Sequence, residues 1–131
     1  MPKPLKRLFL VTDISFLIYW AITALVAVNL LGIPQDWLFR DYSDPNIVAW
    51  NWSFMPLDIL ASISGLLAVR MAGTGGNWRQ VALISMVLTF CAGFMAVSFW
   101  TFQASFDALW WAANLFLMLW PLLMFRRVLK D

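Results

Sequence analysis

Residues 70–79 read RMAGTGGNWR: two arginines enclose a run of glycine, threonine and asparagine, with a long apolar stretch on either side. Ala72 to Asn77 has the composition of a flexible turn. Arg70 and Arg79 give that turn a side, because short loops carrying Lys and Arg stay on the cytoplasmic face of a membrane. If the flanking stretches are membrane spans, the rest of the chain can be counted outward from here.

The composition favours that reading. Hydrophobic residues make up 63% of the 131 positions and charged residues 12%, against roughly 45–50% and about 25% in soluble domains. A chain this short cannot bury so many large side chains away from water. Hydrocarbon as solvent removes the difficulty. A core about 30 Å thick takes roughly 20 apolar helical residues to cross. Four segments are long enough: about 8–31, 45–69, 79–101 and 105–125. The expected fold is an all-α integral membrane protein, a single transmembrane domain of four helices over residues 1–131. The first span begins after basic residues, as a signal peptide would. Its apolar part is longer than a signal's and no small-residue cleavage site stands out, so it is expected to be a retained helix.

Charge placement tests the count. Lys3, Lys6 and Arg7 precede the first span, Arg70 and Arg79 bracket the second connection, and Arg126, Arg127 and Lys130 follow the fourth span. In a four-span chain all of these share one side. Arg40 alone falls on the other, beside Asp36, Asp41 and Asp44. An odd number of spans would mix the two groups. The expectation is a plasma (inner) membrane protein with both termini cytoplasmic and the lipid bilayer as its first partner.

The connections carry suitable punctuation. In GIPQDWLFRDYSDP (residues 32–45), Asp44 can cap the second helix, with Pro45 at its first position. Residues 32–44 form the outer connection, where Trp37, Leu38, Phe39 and Tyr42 alternate with charges. They suit either an interfacial segment or a lid over an outward-facing pocket. TFQAS (residues 101–105) is short, so the third and fourth helices form a tight hairpin, with Ser105 as the expected cap.

Some function classes are excluded. All seven acids are aspartate and there is no histidine. With a lone Cys91 there is no disulfide within the chain and no Cys/His metal cluster. A net charge of +2 with scattered bases does not suit nucleic acid. No lysine lies within a span to hold retinal. No cofactor motif is present, and no residue can be assigned a catalytic role.

The polar residues within the spans remain. Ionisable side chains at membrane depth usually face protein or a water-filled cavity. Asp58 lies near the middle of the second helix. Asn51 sits seven residues earlier on nearly the same face, and Ser62 and Gly65 continue the stripe. Pro56 lies beside it and frees the carbonyl of Trp52. This face either lines a pocket or makes a structural hydrogen bond to another helix. Asp13 lies about one turn into the first helix. It either pairs with a base such as Arg70 or Arg126 or points inward with Trp20, seven residues on. Asp107 begins the fourth helix, where a carboxylate suits the helix dipole. Asp107, Asn114 and Pro121 share one face, so Asn114 can approach Asp58 if those faces meet. Trp52, Trp111 and Trp20 are candidate cavity walls, whereas Trp37, Trp50, Trp78 and Trp100 suit an aromatic belt. Ser85, Thr89 and Gly93 form a small-residue stripe for close helix packing, in this chain or with a second copy as a homo-oligomer.

TDISFLIYW (residues 12–20) and LFRDYSDPNIVAWNWSFMPLDILASISGL (residues 38–66) resemble the YvaD-like family of small bacterial four-helix membrane proteins. The resemblance implies a bacterial inner membrane and carries neither an activity nor a catalytic residue with it. The function expected from the residues is binding or transport of an apolar molecule or lipid, with or without a cationic group, in a tryptophan-rich pocket centred on Asp58. Asn51, Trp52, Ser62, Asn114, Trp111, Asp107, Asp13 and Trp20 are the other candidate ligand-binding residues. Two alternatives stand beside it: an intramembrane isomerase or cyclase using aspartate as acid, and a structural or partner subunit of a membrane complex.

Overall fold

The computed structural model describes residues 1–130. It contains four α-helices: α1 (Lys3–Ala27), α2 (Pro45–Gly73), α3 (Trp78–Phe102) and α4 (Ala108–Lys130). A single 3₁₀ turn, Gln35–Trp37, interrupts the α1–α2 connection. Each α-helix is long and apolar enough to cross a membrane. Their outward faces carry exposed large apolar side chains, among them Ile18, Leu60, Ile84 and Leu123. Such a perimeter suits hydrocarbon, and the architecture is that of a multi-pass helical bundle.

Helix ends follow local chemistry, and here the structure departs from the hydropathy reading. α1 was expected to reach residue 31 and stops at Ala27. Asn29 adopts φ 58°. Its N–H bonds the Val26 carbonyl at 3.0 Å, and that of Leu30 bonds the Leu25 carbonyl at 2.9 Å. This is a Schellman close, with asparagine in the left-handed position it tolerates better than most residues. Gly75, at φ 77°, ends α2 in the same way. Ala104 ends α3 at φ 51°, a conformation that crowds its Cβ.

α4 begins at Ala108, three residues later than expected, because Asp107 and not Ser105 is the cap: its Oδ1 accepts from the Trp110 N–H at 3.1 Å. Asp44 caps α2 by accepting from the Asn46 N–H at 2.8 Å, with Pro45 following it. α4 runs on to Lys130, since Arg126 and Arg127 are good helix formers with stems that tolerate apolar surroundings.

α2 packs against α1 and α3, and α3 against α4. α1 and α4 close the ring with few contacts. The two ends of the bundle differ. Where the termini and the α2–α3 turn gather, Leu5, Phe9, Ala68, Trp78, Ala82, Met86, Trp120 and Val128 form one buried cluster drawn from all four helices. There α1 and α4 meet, with the Phe9 and Trp120 rings edge to face at 5.4 Å. Towards the far end the helices part around a cavity.

The small-residue stripe is consumed inside this packing. Ser85 and Thr89 are fully buried. Ser85 donates to the Ala61 carbonyl of α2 at 2.8 Å. A Cβ at Gly93 would lie 2.7 Å from the Met118 nitrogen of α4. Of the two partners expected for this stripe, the same chain supplies contacts, with Ser85 meeting α2 and Gly93 meeting α4.

Candidate ligand-binding site

A cavity of about 310 Å³ lies between all four helices towards the far end. Its walls are aromatic and apolar, with Phe16 from α1, Phe54 and Trp50 from α2, Trp100 from α3, and Trp110 and Leu117 from α4. Trp50 is fixed by stacking on Phe99, with ring centroids 3.9 Å apart.

The polar groups come from the spacing read in the sequence. Asp58 and Asn51, two turns apart on α2, both line the cavity, and Asn114 reaches it from α4. Asp58 is 5% exposed. Its Oδ2 accepts from the Trp20 indole N–H at 2.8 Å, and its Oδ1 has no partner. The Asn51 Nδ2 makes no well-formed hydrogen bond either, with the Tyr19 side chain beside it. Asn114 donates to the Trp110 carbonyl one turn back, at 2.8 Å. One cavity thus presents an unpaired acceptor and an unpaired donor on the same helix. Buried polar groups are nearly always paired, so such exceptions need an explanation.

The other candidates take different places. Asp107, Asp13, Ser62, Trp52 and Trp111 do not line the cavity. Asp107 is engaged as the α4 cap. Of Asp58 and Asp107, only Asp58 lines the cavity. Ser62 donates to the Asp58 carbonyl, which holds α2 at that level. Trp52 lies behind Trp20, ring centroids 5.6 Å apart, and backs the indole that holds Asp58. Trp111 donates to the Ser105 carbonyl at 3.2 Å and braces the α3–α4 turn.

Asp13 is fully buried next to Thr12, itself a cavity residue. It is wedged against Gly65 of α2, with Ser85 of α3 beside it. Neither carboxyl oxygen has a hydrogen-bond partner, so the pairing with Arg70 or Arg126 is not formed.

Of the two readings of the 32–44 connection, an interfacial segment or a lid, the structure is nearer the lid, through contacts that the sequence does not show. Phe39 and Arg40 line the cavity. Leu38 is buried, and its carbonyl accepts from the Tyr19 hydroxyl at 3.1 Å. Arg40 Nη1 donates to Ser105 Oγ at 3.0 Å, which ties this connection to the α3–α4 turn. The connection is a strap over the cavity, whereas Trp37, 71% exposed, projects away. The isolation of Arg40 among acids was the available signal. Trp50 and Trp100, assigned to a belt by depth, stand in the cavity wall.

Fold and site together define a small polytopic helical protein with an internal apolar cavity. The chain belongs to the family described as "Family of unknown function (DUF5360)", whose pattern matches residues 5–131. It is 43% identical over 128 residues to "Uncharacterized protein YvaD" of Bacillus subtilis (strain 168), covering 97% of this chain and 92% of that protein. No solved structure matches it.

Proposed function

We propose that the protein binds an apolar molecule or lipid whose polar end seats between Asp58 and Asn51, and that it does so in the bacterial plasma membrane with both termini cytoplasmic. Two of the three buried, unpartnered side-chain atoms on cavity-lining residues, Asp58 Oδ1 and Asn51 Nδ2, carry this reading, with Thr12 Oγ1 as the third. Two turns of α2 hold these groups about 10 Å apart, so a single hydroxyl completes one of them, and a polyol end such as a glycerol, whose hydroxyls both donate and accept, completes both. A cationic amine completes the carboxylate only. The aromatic walls take the apolar body, as in most small-molecule sites. Transport would require the same site to open at the other end, where the buried cluster of Phe9, Trp78 and Trp120 closes it.

A long-chain alcohol with a glycerol end, carrying a diazirine, tests the seat in reconstituted vesicles. Photolabelling is expected to fall on cavity residues such as Phe16 and Asn114. Asp58→Leu and Asn51→Leu should each lower it about tenfold, the equivalent of one hydrogen bond of about 1.4 kcal/mol. Asn51→Leu removes no hydrogen bond of its side-chain nitrogen within the protein, so its fold is expected to persist. Undiminished labelling in both variants would remove the seat. Long-chain amine and hydrocarbon probes rank the polar end, with the alcohol expected first.

Orientation has its own measurement. In a Cys91→Ala background, Tyr42→Cys should react with a membrane-impermeant maleimide added to intact cells, and Gly76→Cys only after lysis. The reverse pattern would invert the topology inferred from Lys and Arg placement.

A further inference from the structure

We propose that the cavity fills sideways from the bilayer, through a portal between α1 and α4, so that its occupant is a membrane-dissolved amphiphile such as a lipophilic alcohol. This rests on the ligand-binding reading above and adds the source of the ligand and its route. Four cavity-lining residues are also exposed on the outside of the bundle: Val11 and Ser15 on α1, Ala113 and Phe116 on α4. Val11 is 60% exposed and Phe116 43%. They form a rim that bounds the cavity where its wall is a single side chain thick, which is where it opens with the least rearrangement.

The depth of the rim identifies what lies outside it. At 1.5 Å per residue, Phe116 is about 12 Å from the far end of α4 and Val11 about 24 Å from the far end of α1. Both levels fall within a hydrocarbon layer about 30 Å thick. The rim carries no charge, and its one polar side chain is Ser15. α1 and α4 also touch far less than α1 and α2, α2 and α3, or α3 and α4 do.

The route from water is obstructed. Phe39 and Arg40 lie across the far end of the cavity, and the strap that carries them is latched on both sides. Tyr19 holds the Leu38 carbonyl on the α1 side, and Arg40 reaches Ser105 on the α4 side. A molecule dissolved in lipid meets an apolar rim, and one in water meets a bonded cover.

The test is the loading rate of the diazirine alcohol, supplied already dissolved in phosphatidylcholine vesicles mixed with protein-bearing ones. Ala113→Trp and Ser15→Trp each place a large side chain on the rim, one on either helix, at positions exposed on the outside of the bundle. Both are expected to slow cavity labelling about tenfold, a barrier increase of about 1.4 kcal/mol, with the same final extent. Ser105→Ala, which frees the same latch without changing a cavity-lining side chain, should leave the rate unchanged. Unchanged rates in both rim variants would overturn the portal, as would faster loading in Ser105→Ala. The two readings separate cleanly. Loss of labelling in Asp58→Leu and Asn51→Leu with unaltered rim variants removes the portal and leaves the seat. Slow loading in the rim variants with unaltered labelling in those two removes the seat and leaves the portal.

Discussion

Gly65→Ala is expected to destabilise the protein by about 3 kcal/mol, because a single added methyl would overlap a buried carboxylate. A Cβ on Gly65 would penetrate the Asp13 side chain and come within 2.8 Å of Ser85 Oγ. Overpacking usually costs about 1–3 kcal/mol, and more when neighbours cannot move. Asp13 is fully buried and Ser85 is held by its bond to Ala61, so little room exists to yield. The obstacle is nevertheless a side chain, and this makes a specific rescue available. Asp13→Ala removes it, along with a buried carboxyl group that has no hydrogen-bond partner. That single change should therefore cost little or stabilise, since an unsatisfied buried polar group costs about 1–3 kcal/mol. The double variant Gly65→Ala, Asp13→Ala should recover most of the loss, a coupling of about 2 kcal/mol. Chemical denaturation in detergent micelles measures all three variants. An additive double variant would show that Asp13 and Gly65 do not press on each other.

How much of this was legible beforehand depends on the range of the interaction. The number of helices could be read from Arg70, Arg79 and the turn they enclose, because span length and charge are properties of neighbouring residues. The inward stripe of Asn51, Asp58, Ser62 and Gly65 followed from helical periodicity. Periodicity ranks faces, however, and does not say which helix each face meets. That Asp58 accepts from Trp20, and that Gly65 accommodates Asp13, are facts of pairing between α1 and α2. Helix ends were misplaced where a single residue decided them. The run Val28 to Leu31 is apolar enough to extend α1, yet Asn29 closes it through a backbone conformation that hydropathy does not register. Trp50 and Trp100 were placed at the right level and assigned the wrong surroundings, since depth along a helix fixes height and leaves rotation free. Arg40 was visible as an isolated base. Its bond to Ser105, 65 residues away, was not.

Gly93→Ala is expected to cost a similar 3 kcal/mol or so, but with no second-site rescue of the kind open to Gly65. The difference lies in what the new methyl meets. At Gly93 it would come within 2.7 Å of the Met118 backbone nitrogen and 2.9 Å of the Leu117 Cβ on α4. Leu117→Ala retains a Cβ and leaves the backbone where it is, so the α3–α4 pair must separate. Small residues let membrane helices approach closely, and the attraction gained is the dispersion that separation forfeits. The damage should reach the site as well. Trp110, Asn114 and Leu117 are carried on α4, and their distance from Asp58 is set by how closely α4 lies on α3. Gly93→Ala is therefore expected to lower labelling by the diazirine alcohol together with the denaturation midpoint, and Gly93→Ala, Leu117→Ala should recover little of either. Gly65→Ala, Asp13→Ala, whose repair leaves α3 and α4 untouched, should regain both. If Leu117→Ala restored Gly93→Ala fully, the closeness of α3 and α4 would rest on that side chain and not on their backbones.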